Sequence, residues 1–503
     1  MKLLDRLLSI ITVEHLWALT VVIGIFSFVN THPIRPHDFW WHLAIGRDIV
    51  TNQQISEADI YSYTRLGEPY PSYNIFWLME VFLFVVYRAG GPILTILTQS
   101  FLITSAYVVI LWISYRKSHS WRTAAFGTLF AAAMGFGNWN IRPQAITYLL
   151  GALIFLGITE YRLSNKKLWL ALFPAVMIVW VNSHGSFPIG LAIIGCWIAD
   201  EAWNILINRF RKHAWDLKPI FPSVFAFVIS ALACLVNPLG LGIITYLGGM
   251  ASNTTVQNNI LEWMPPTLNS LEGGIFYIGL LLLAVLLAES PKRPTFFEVI
   301  TFLLFGVLGI KYIRGVVWFG LVMGPVVAVH LAALFAQLGW GKIPARQTAS
   351  VRRLNLIFLL ALIFLGFISL PWFKQFFPFV PTKRGLISVE TPIQATQFIL
   401  DHHLSPQLFH DMAFGSYLIW AAQPTYKVFV DSRIELFPEE IWDDYWTISS
   451  AQSNWQYLLD KYQIRTLMLE PEKQSKLITA ANHSPMWLQV YEDDNAVVFK
   501  RND

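Results

Sequence analysis

The chain reads as a polytopic α-helical membrane protein with about eleven transmembrane helices and a small C-terminal α/β domain outside the membrane. Three observations predict this. Hydrophobic residues make up 55% of the chain and charged ones only 14%, and mean hydropathy is +0.49, beyond the balance of a soluble globular protein. Apolar runs that span a bilayer, or nearly so, recur up to about residue 371, and from about Lys374 the composition becomes that of a soluble domain.

The runs lie at roughly 15–30, 92–114, 122–138, 144–161, 168–182, 186–206, 219–236, 273–289, 295–311, 315–337 and 354–371. One further stretch, 74–87, is short. Counting it as a span would place Arg116, Lys117 and Arg122 outside and break the positive-inside rule down the chain. Laid in the interface or re-entrant, it leaves the clusters Arg116/Lys117/Arg122, Arg162/Lys166/Lys167, Arg209/Arg211/Lys212/Lys218, Lys292/Arg293 and Lys342/Arg346/Arg352/Arg353 all inside. Residues 1–373 are then the membrane domain, with a first outer loop at 31–91 that carries the interfacial helix. Residues 138–144, 182–186, 237–272, 311–314 and everything after about Trp372 also fall outside. Glu14 interrupts the first apolar run and no small-residue cleavage site follows, so this segment reads as a retained helix.

Residues 374–503 read as the soluble extracytoplasmic domain. Apolar runs at 408–410, 428–430, 466–469, 488–491 and 496–499 predict short strands, with helical patterns at 394–402, 455–462 and 473–481 between several of them. The proline- and aromatic-rich stretch 371–381 reads as the hinge that lays this domain on the bilayer.

The net charge of +4 comes mostly from short clusters between apolar segments, which is orientation information; no basic face argues for nucleic acid. Cys196 and Cys234 lie in apolar stretches and read as small hydrophobes. Neither a phosphate-binding Gly-rich loop, a dinucleotide fingerprint, an HExxH helix nor a serine nucleophile elbow is present. A transferase working outside, without nucleotide sugars, needs a lipid-borne donor.

Charges near the outer membrane face are few enough to weigh singly. Asp38, in His37-Asp38-Phe39-Trp40-Trp41-His42, is the candidate catalytic group: a carboxylate at the water–lipid boundary accepts a proton from an acceptor hydroxyl or amine. The plainer reading is a helix N-cap. His37 and His42 complete a two-His, one-carboxylate set with it, which makes a divalent cation the one candidate cofactor and leaves the metal unknown. Asp59 is a second loop carboxylate or a turn residue, and Glu80 faces a polar cavity or pairs with Arg88 or another base. Arg142, Lys311 and Arg314 are cations left outside against the orientation tendency, where they suit an anion such as phosphate or pair with Glu262, Glu272 or lipid headgroups. His184 suits a sugar or a phosphate, or a structural hydrogen bond.

An acidic residue early in a long first outer loop, an interfacial helix, many spans and an outer terminal domain resemble, over the whole chain, the GT-C superfamily of membrane glycosyltransferases. That superfamily includes protein O-mannosyltransferases, aminoarabinose transferases and oligosaccharyltransferases, and the likeness is nearest to bacterial members of unassigned substrate. In residues it rests on Asp38, Arg142, Tyr417-Leu418-Ile419-Trp420 and Val428-Phe429-Val430-Asp431-Ser432-Arg433. The family's usual Asp-Glu pair is here Asp38-Phe39, and 138–144 holds no further carboxylate. The resemblance implies a bacterial plasma-membrane enzyme of inverting type that moves a sugar from a polyprenyl-phosphate donor to an extracytoplasmic glycan, lipid or protein, with Asp38 activating the acceptor and Arg142 and Arg314 holding the phosphate. The rival readings are a lipid or glycan transporter, which should show paired inverted repeats, and an O-antigen ligase or polymerase, which should carry a large late outer loop.

Overall fold

The computed structural model describes residues 12–211, 213–253, 261–340, 348–376 and 385–502. The basic positions Lys212, Lys342 and Arg346 and the later part of the 371–381 hinge lie outside the described residues.

Each of the eleven apolar runs coincides with a helix. Among the described residues, seven helices are long and apolar enough to cross a membrane by length and composition alone: Val13–Asn30, Tyr73–Ser118, Ala145–Ser164, Pro188–Phe210, Leu271–Glu289, Ile313–Gln337 and Ser350–Ile368. The runs at 122–138, 168–182, 219–236 and 295–311 form the shorter helices Trp121–Gly135, Leu172–Val181, Phe221–Ala233 and Phe296–Lys311. Tyr73–Ser118 is two helices in one, broken at Gly90 and Gly91. Gly91 has φ 57° and ψ −151°, a conformation essentially closed to residues with a Cβ, and Pro92 restarts the helix where its missing N–H costs nothing. The short stretch 74–87 is thus helical and set at an angle to the span that follows.

The membrane core is built around Ile313–Gln337, whose residues from Gly315 to His330 are all buried. Small residues let it meet Trp121–Gly135 closely: a Cβ on Gly127 would lie 2.2 Å from the Gly324 carbonyl oxygen, and one on Gly320 would lie 2.5 Å from Met134 Cβ. At one end of the bundle the basic clusters find acids. Arg116 donates to both oxygens of Glu160 at 2.6 and 2.8 Å, and Arg162 bonds Asp200 at 2.5 Å and Glu201 at 2.8 Å. Such pairing satisfies charges that would otherwise be costly beside hydrocarbon.

The terminal domain contains a four-stranded mixed sheet in the order β1 (Leu408–His410), β2 (Thr466–Leu469), β4 (Val497–Arg501), β3 (Trp487–Glu492), with β1 and β2 parallel and the other pairs antiparallel. The predicted helices appear as Ile393–Asp401, Trp455–Lys461 and Ser475–His483. Two helices, Met412–Ala421 and Glu439–Ser449, are not among those expected: Asp411 caps the first, and the second buries Trp442, Tyr445 and Ile448 at helical spacing. The expected strand at 428–430 is a correction: the segment is fully buried but outside the sheet, because its backbone pairs with the first outer loop. Val428 N–H donates to the Tyr61 carbonyl at 3.0 Å, and Tyr63 N–H donates to the Val428 carbonyl at 3.1 Å.

The hinge is a minor part of what holds this domain. Trp41, Ala44, Ile45, Tyr61, Tyr70 and Tyr73 of the first outer loop and its flanks share one hydrophobic core with Phe409, Phe429, Tyr445 and Phe499. Polar bonds run beside it: the Trp41 indole donates to Ser432 Oγ at 3.0 Å, Arg47 donates to the Trp420 carbonyl at 3.1 Å, and Tyr63 OH donates to the Leu408 carbonyl at 2.9 Å.

Candidate active site

The first-loop helix Asp38–Asn52 sets the catalytic candidate. His37 holds the N-cap position without a side-chain cap bond, and Asp38 is the first helical residue, so the cap reading of Asp38 gives way. Its carboxylate is used sideways instead. Oδ2 lies 3.2 Å from Arg142 Nε, and the Ser432 hydroxyl of the terminal domain also hydrogen-bonds it. Burial alone would raise the Asp38 pKa, but Arg142, the Ser432 bond and the nearby histidines together hold it below the usual carboxylate range. Asp38 is therefore ionised at neutral pH.

Arg142 stands just ahead of the helix Ala145–Ser164, and its guanidinium joins two carboxylates. Nη1 bonds Glu262 Oε1 at 2.5 Å, while Glu262 Oε2 lies 3.3 Å from Arg314 Nη2. Arg314, in the first turn of the central helix, also lies over the Trp263 ring at 4.4 Å. The result is an alternating chain, Asp38, Arg142, Glu262, Arg314, whose formal charges cancel. The two acids push the Arg142 pKa up against the effect of burial. Arg314 Nε is buried with no hydrogen-bond partner, an unspent donor.

These four residues line one cavity of about 120 Å³ together with His42, His184, Gln144, Trp263, Ser432, Arg433 and Glu435. A second pocket of about 20 Å³, lined among others by Pro33, Arg35, His37 and Gln99, shares Asp38 and Arg142 with it. The pair thus forms the partition between two cavities. His184 accepts from the Ser186 N–H and pairs with the Ser186 hydroxyl at 2.9 Å, and burial followed by the two arginines lowers its pKa to about 3, so the ring is neutral. Burial likewise holds His42 well below the usual histidine range.

Three of the expected ligand residues sit elsewhere. Asp59 is fully buried and paired with Arg433, whose Nη1 lies 2.5 Å from Asp59 Oδ1 while Nη2 lies 2.6 Å from Asp431 Oδ2; it ties the first loop to the terminal domain. Glu80 is also fully buried and meets His42 Nδ1 at 2.8 Å, so it stands behind a cavity residue and its base is His42 rather than Arg88. Lys311 is exposed, 5.0 Å over the Tyr312 ring, and is absent from the cavity wall because Tyr312 breaks the chain between the two helices and turns Arg314 inward alone. Two further groups, Ser432 and Glu435, carry no ligand signal in the sequence and reach the cavity from almost 400 positions away in the chain. Only the short Val428-to-Arg433 match points near them.

No residue of the described set joins a group of three His, Cys, Asp or Glu side chains suited to a metal ion. Two carboxylates of the cavity, Asp38 and Glu262, share the Arg142 guanidinium. Among the described residues, His37 and His42 do not join Asp38 in such a group of three.

Solved structures give the fold its context. The oligosaccharyltransferase AglB of Archaeoglobus fulgidus in its apo form matches with TM-score 0.57 at 10% identity, covering 91% of this chain and 70% of that one. The same protein in complex with an inhibitory peptide and a dolichol-phosphate matches at 0.54 and 11% identity, over 97% of this chain and 74% of that one. Mycobacterial arabinofuranosyltransferase AftD matches at 0.56 and 13%, over 98% of this chain and 40% of that one. This is the GT-C fold. The fold expected from the sequence is therefore the one these structures share with most of this chain. No protein-family profile and no curated protein matches the sequence.

Proposed function

We propose that the protein is an integral membrane glycosyltransferase that moves a sugar from a polyprenyl-phosphate donor to an acceptor outside the cytoplasm, with inversion at the anomeric carbon. The observation that carries this reading is the cavity in which an ionised Asp38 and two arginines face the same space, one of them with a buried, unspent N–H. The bound dolichol-phosphate of AglB is the kind of ligand such a cation pair suits.

In this reading the donor phosphate lies across Arg142 and Arg314. The acceptor hydroxyl approaches Asp38 from the smaller pocket. Its oxygen attacks the anomeric carbon, the bond from that carbon to the phosphate oxygen breaks with its electron pair leaving on the phosphate, and the proton passes to Asp38. Donor binding and base strength are linked, because a phosphate that shares the Arg142 charge relieves Asp38 of part of the field that lowers its pKa. The leaving phosphate is stabilised by fixed positive charge in a partly enclosed site, so positioning and electrostatics supply the rate. Arg142 and Arg314 do the cationic work, and no step is routed through a metal.

Orientation follows from the same helices. Arg142 precedes and Arg162 ends the 20-residue helix Ala145–Ser164, which at 1.5 Å per residue puts them about 30 Å apart. The paired basic clusters therefore lie at the membrane face opposite the cavity. With the eleven helical runs counted as spans, the positive-inside rule supports an outer location for the cavity and the terminal domain in this reading.

The test is Asp38→Asn in purified protein. The amide keeps the side-chain volume and weakens the bond to Arg142, but it cannot take a proton. We expect transfer to fall by about 10²-fold or more while undecaprenyl phosphate still binds; normal turnover in this variant would end the catalytic assignment.

A further inference from the structure

Resting on the reading above, we propose that Glu435 is the residue that recognises the sugar of the lipid-linked donor. The terminal domain delivers this side chain to the wall of the cavity that also holds Arg142 and Arg314. If the phosphate occupies the arginines, the sugar extends into the remaining polar lining.

Glu435 is held in that lining by specific bonds. Its Oε1 accepts from Tyr70 OH at 2.6 Å and from Ser72 Oγ at 3.2 Å, both in the first outer loop just ahead of the helix that starts at Tyr73. No ion pair joins it among the described residues, in contrast to Glu262 and Asp59, each of which is spent on arginine. Arg433, two residues earlier, is committed to Asp59, Asp431 and the Tyr73 hydroxyl. A carboxyl half-buried beside a cavity with hydroxyl donors on one oxygen and no counter-ion has acceptor capacity left over. The free oxygen is open to a ligand, and vicinal hydroxyls of a sugar are its natural complement. Burial also raises the Glu435 pKa, against the pull of the Tyr70 and Ser72 bonds and of Arg433.

The arrangement divides the ligand between the two parts of the molecule: charge on the lipid phosphate is read by the membrane bundle, and hydroxyl pattern by the terminal domain. The knot at Arg433 fixes the backbone on which Glu435 sits, so its position is set by buried bonds and not by the cavity's contents.

The experiment measures binding of undecaprenyl phosphate and of a panel of undecaprenyl-phosphate hexoses and pentoses to wild type, Glu435→Gln and Glu435→Ala, with Arg314→Ala as the comparison. For the panel member that wild type transfers, we expect both Glu435 variants to lose roughly tenfold to a hundredfold in affinity, the Gln variant less, while undecaprenyl phosphate without sugar binds them as it binds wild type. Equal weakening of sugar-free and sugar-bearing lipid, or an unchanged affinity for both, would overturn the sugar assignment. A change confined to the KM for acceptor would assign Glu435 to the acceptor and overturn it as well. If Arg314→Ala binds undecaprenyl phosphate as tightly as wild type, the phosphate reading itself fails, and that result is independent of the Glu435 arms.

Discussion

Asp38 and Arg142 are legible in the sequence as charges in the wrong place, one beside a hydrophobic segment and the other outside in spite of the orientation tendency. Their partners are harder to read. Glu262 can be weighed only as a possible neutraliser, yet it links the two arginines of the cavity. Asp59 is the clearest case of a residue whose chemistry is structural: it lies with Asp431 against a fully buried Arg433. Removing the arginine strands two buried carboxylates, so Arg433→Met should cost about 3–5 kcal/mol, read as a lowered midpoint of thermal unfolding in detergent. Adding Asp59→Asn and Asp431→Asn to that variant should recover a good part of the loss. A single Arg433→Met variant as stable as wild type would show that the trio contributes little.

At the scale of elements, the helices follow from apolar length and from the basic clusters at their ends, because both signals are local in sequence. The break at Gly90-Gly91 and the close approach of Gly127 to Gly324 follow from glycine alone, but only the fold says which glycines are pressed against a neighbour. Gly127→Val should therefore drive a side chain into the Gly324 carbonyl and destabilise the bundle by about 2–3 kcal/mol, whereas Gly195, with open space where a Cβ would stand, should accept alanine without loss. Fluorescence-detected chromatography after a heat step compares the two; equal survival would mean that the helix pair is not packed as described. The strand expected at 428–430 fails for a related reason. An apolar run buried on all sides looks the same whether its backbone bonds go to a sheet or, as here, to a loop far away in sequence.

For the whole molecule, composition separates a membrane part from a soluble part, but the two are joined more closely than a hinge implies. The first outer loop enters the core of the terminal domain, and that domain returns Ser432 and Glu435 to the cavity. Such long-range closure leaves no periodic trace, which is why half of the cavity is invisible without the fold. Orientation can be checked in a background with Cys196 and Cys234 changed to alanine. An impermeant maleimide should label Ser453→Cys in intact cells and reach Lys166→Cys only after permeabilisation; the opposite pattern would invert the topology. The most direct test of the central claim is native mass spectrometry of the lipid that leaves the membrane with the purified protein. Wild type should carry a polyprenyl phosphate, bare or with a sugar, and the Arg142→Ala, Arg314→Ala double variant should carry at least about tenfold less. Equal retention by the double variant, or only bulk phospholipid on wild type, would contradict a polyprenyl-phosphate site at these arginines.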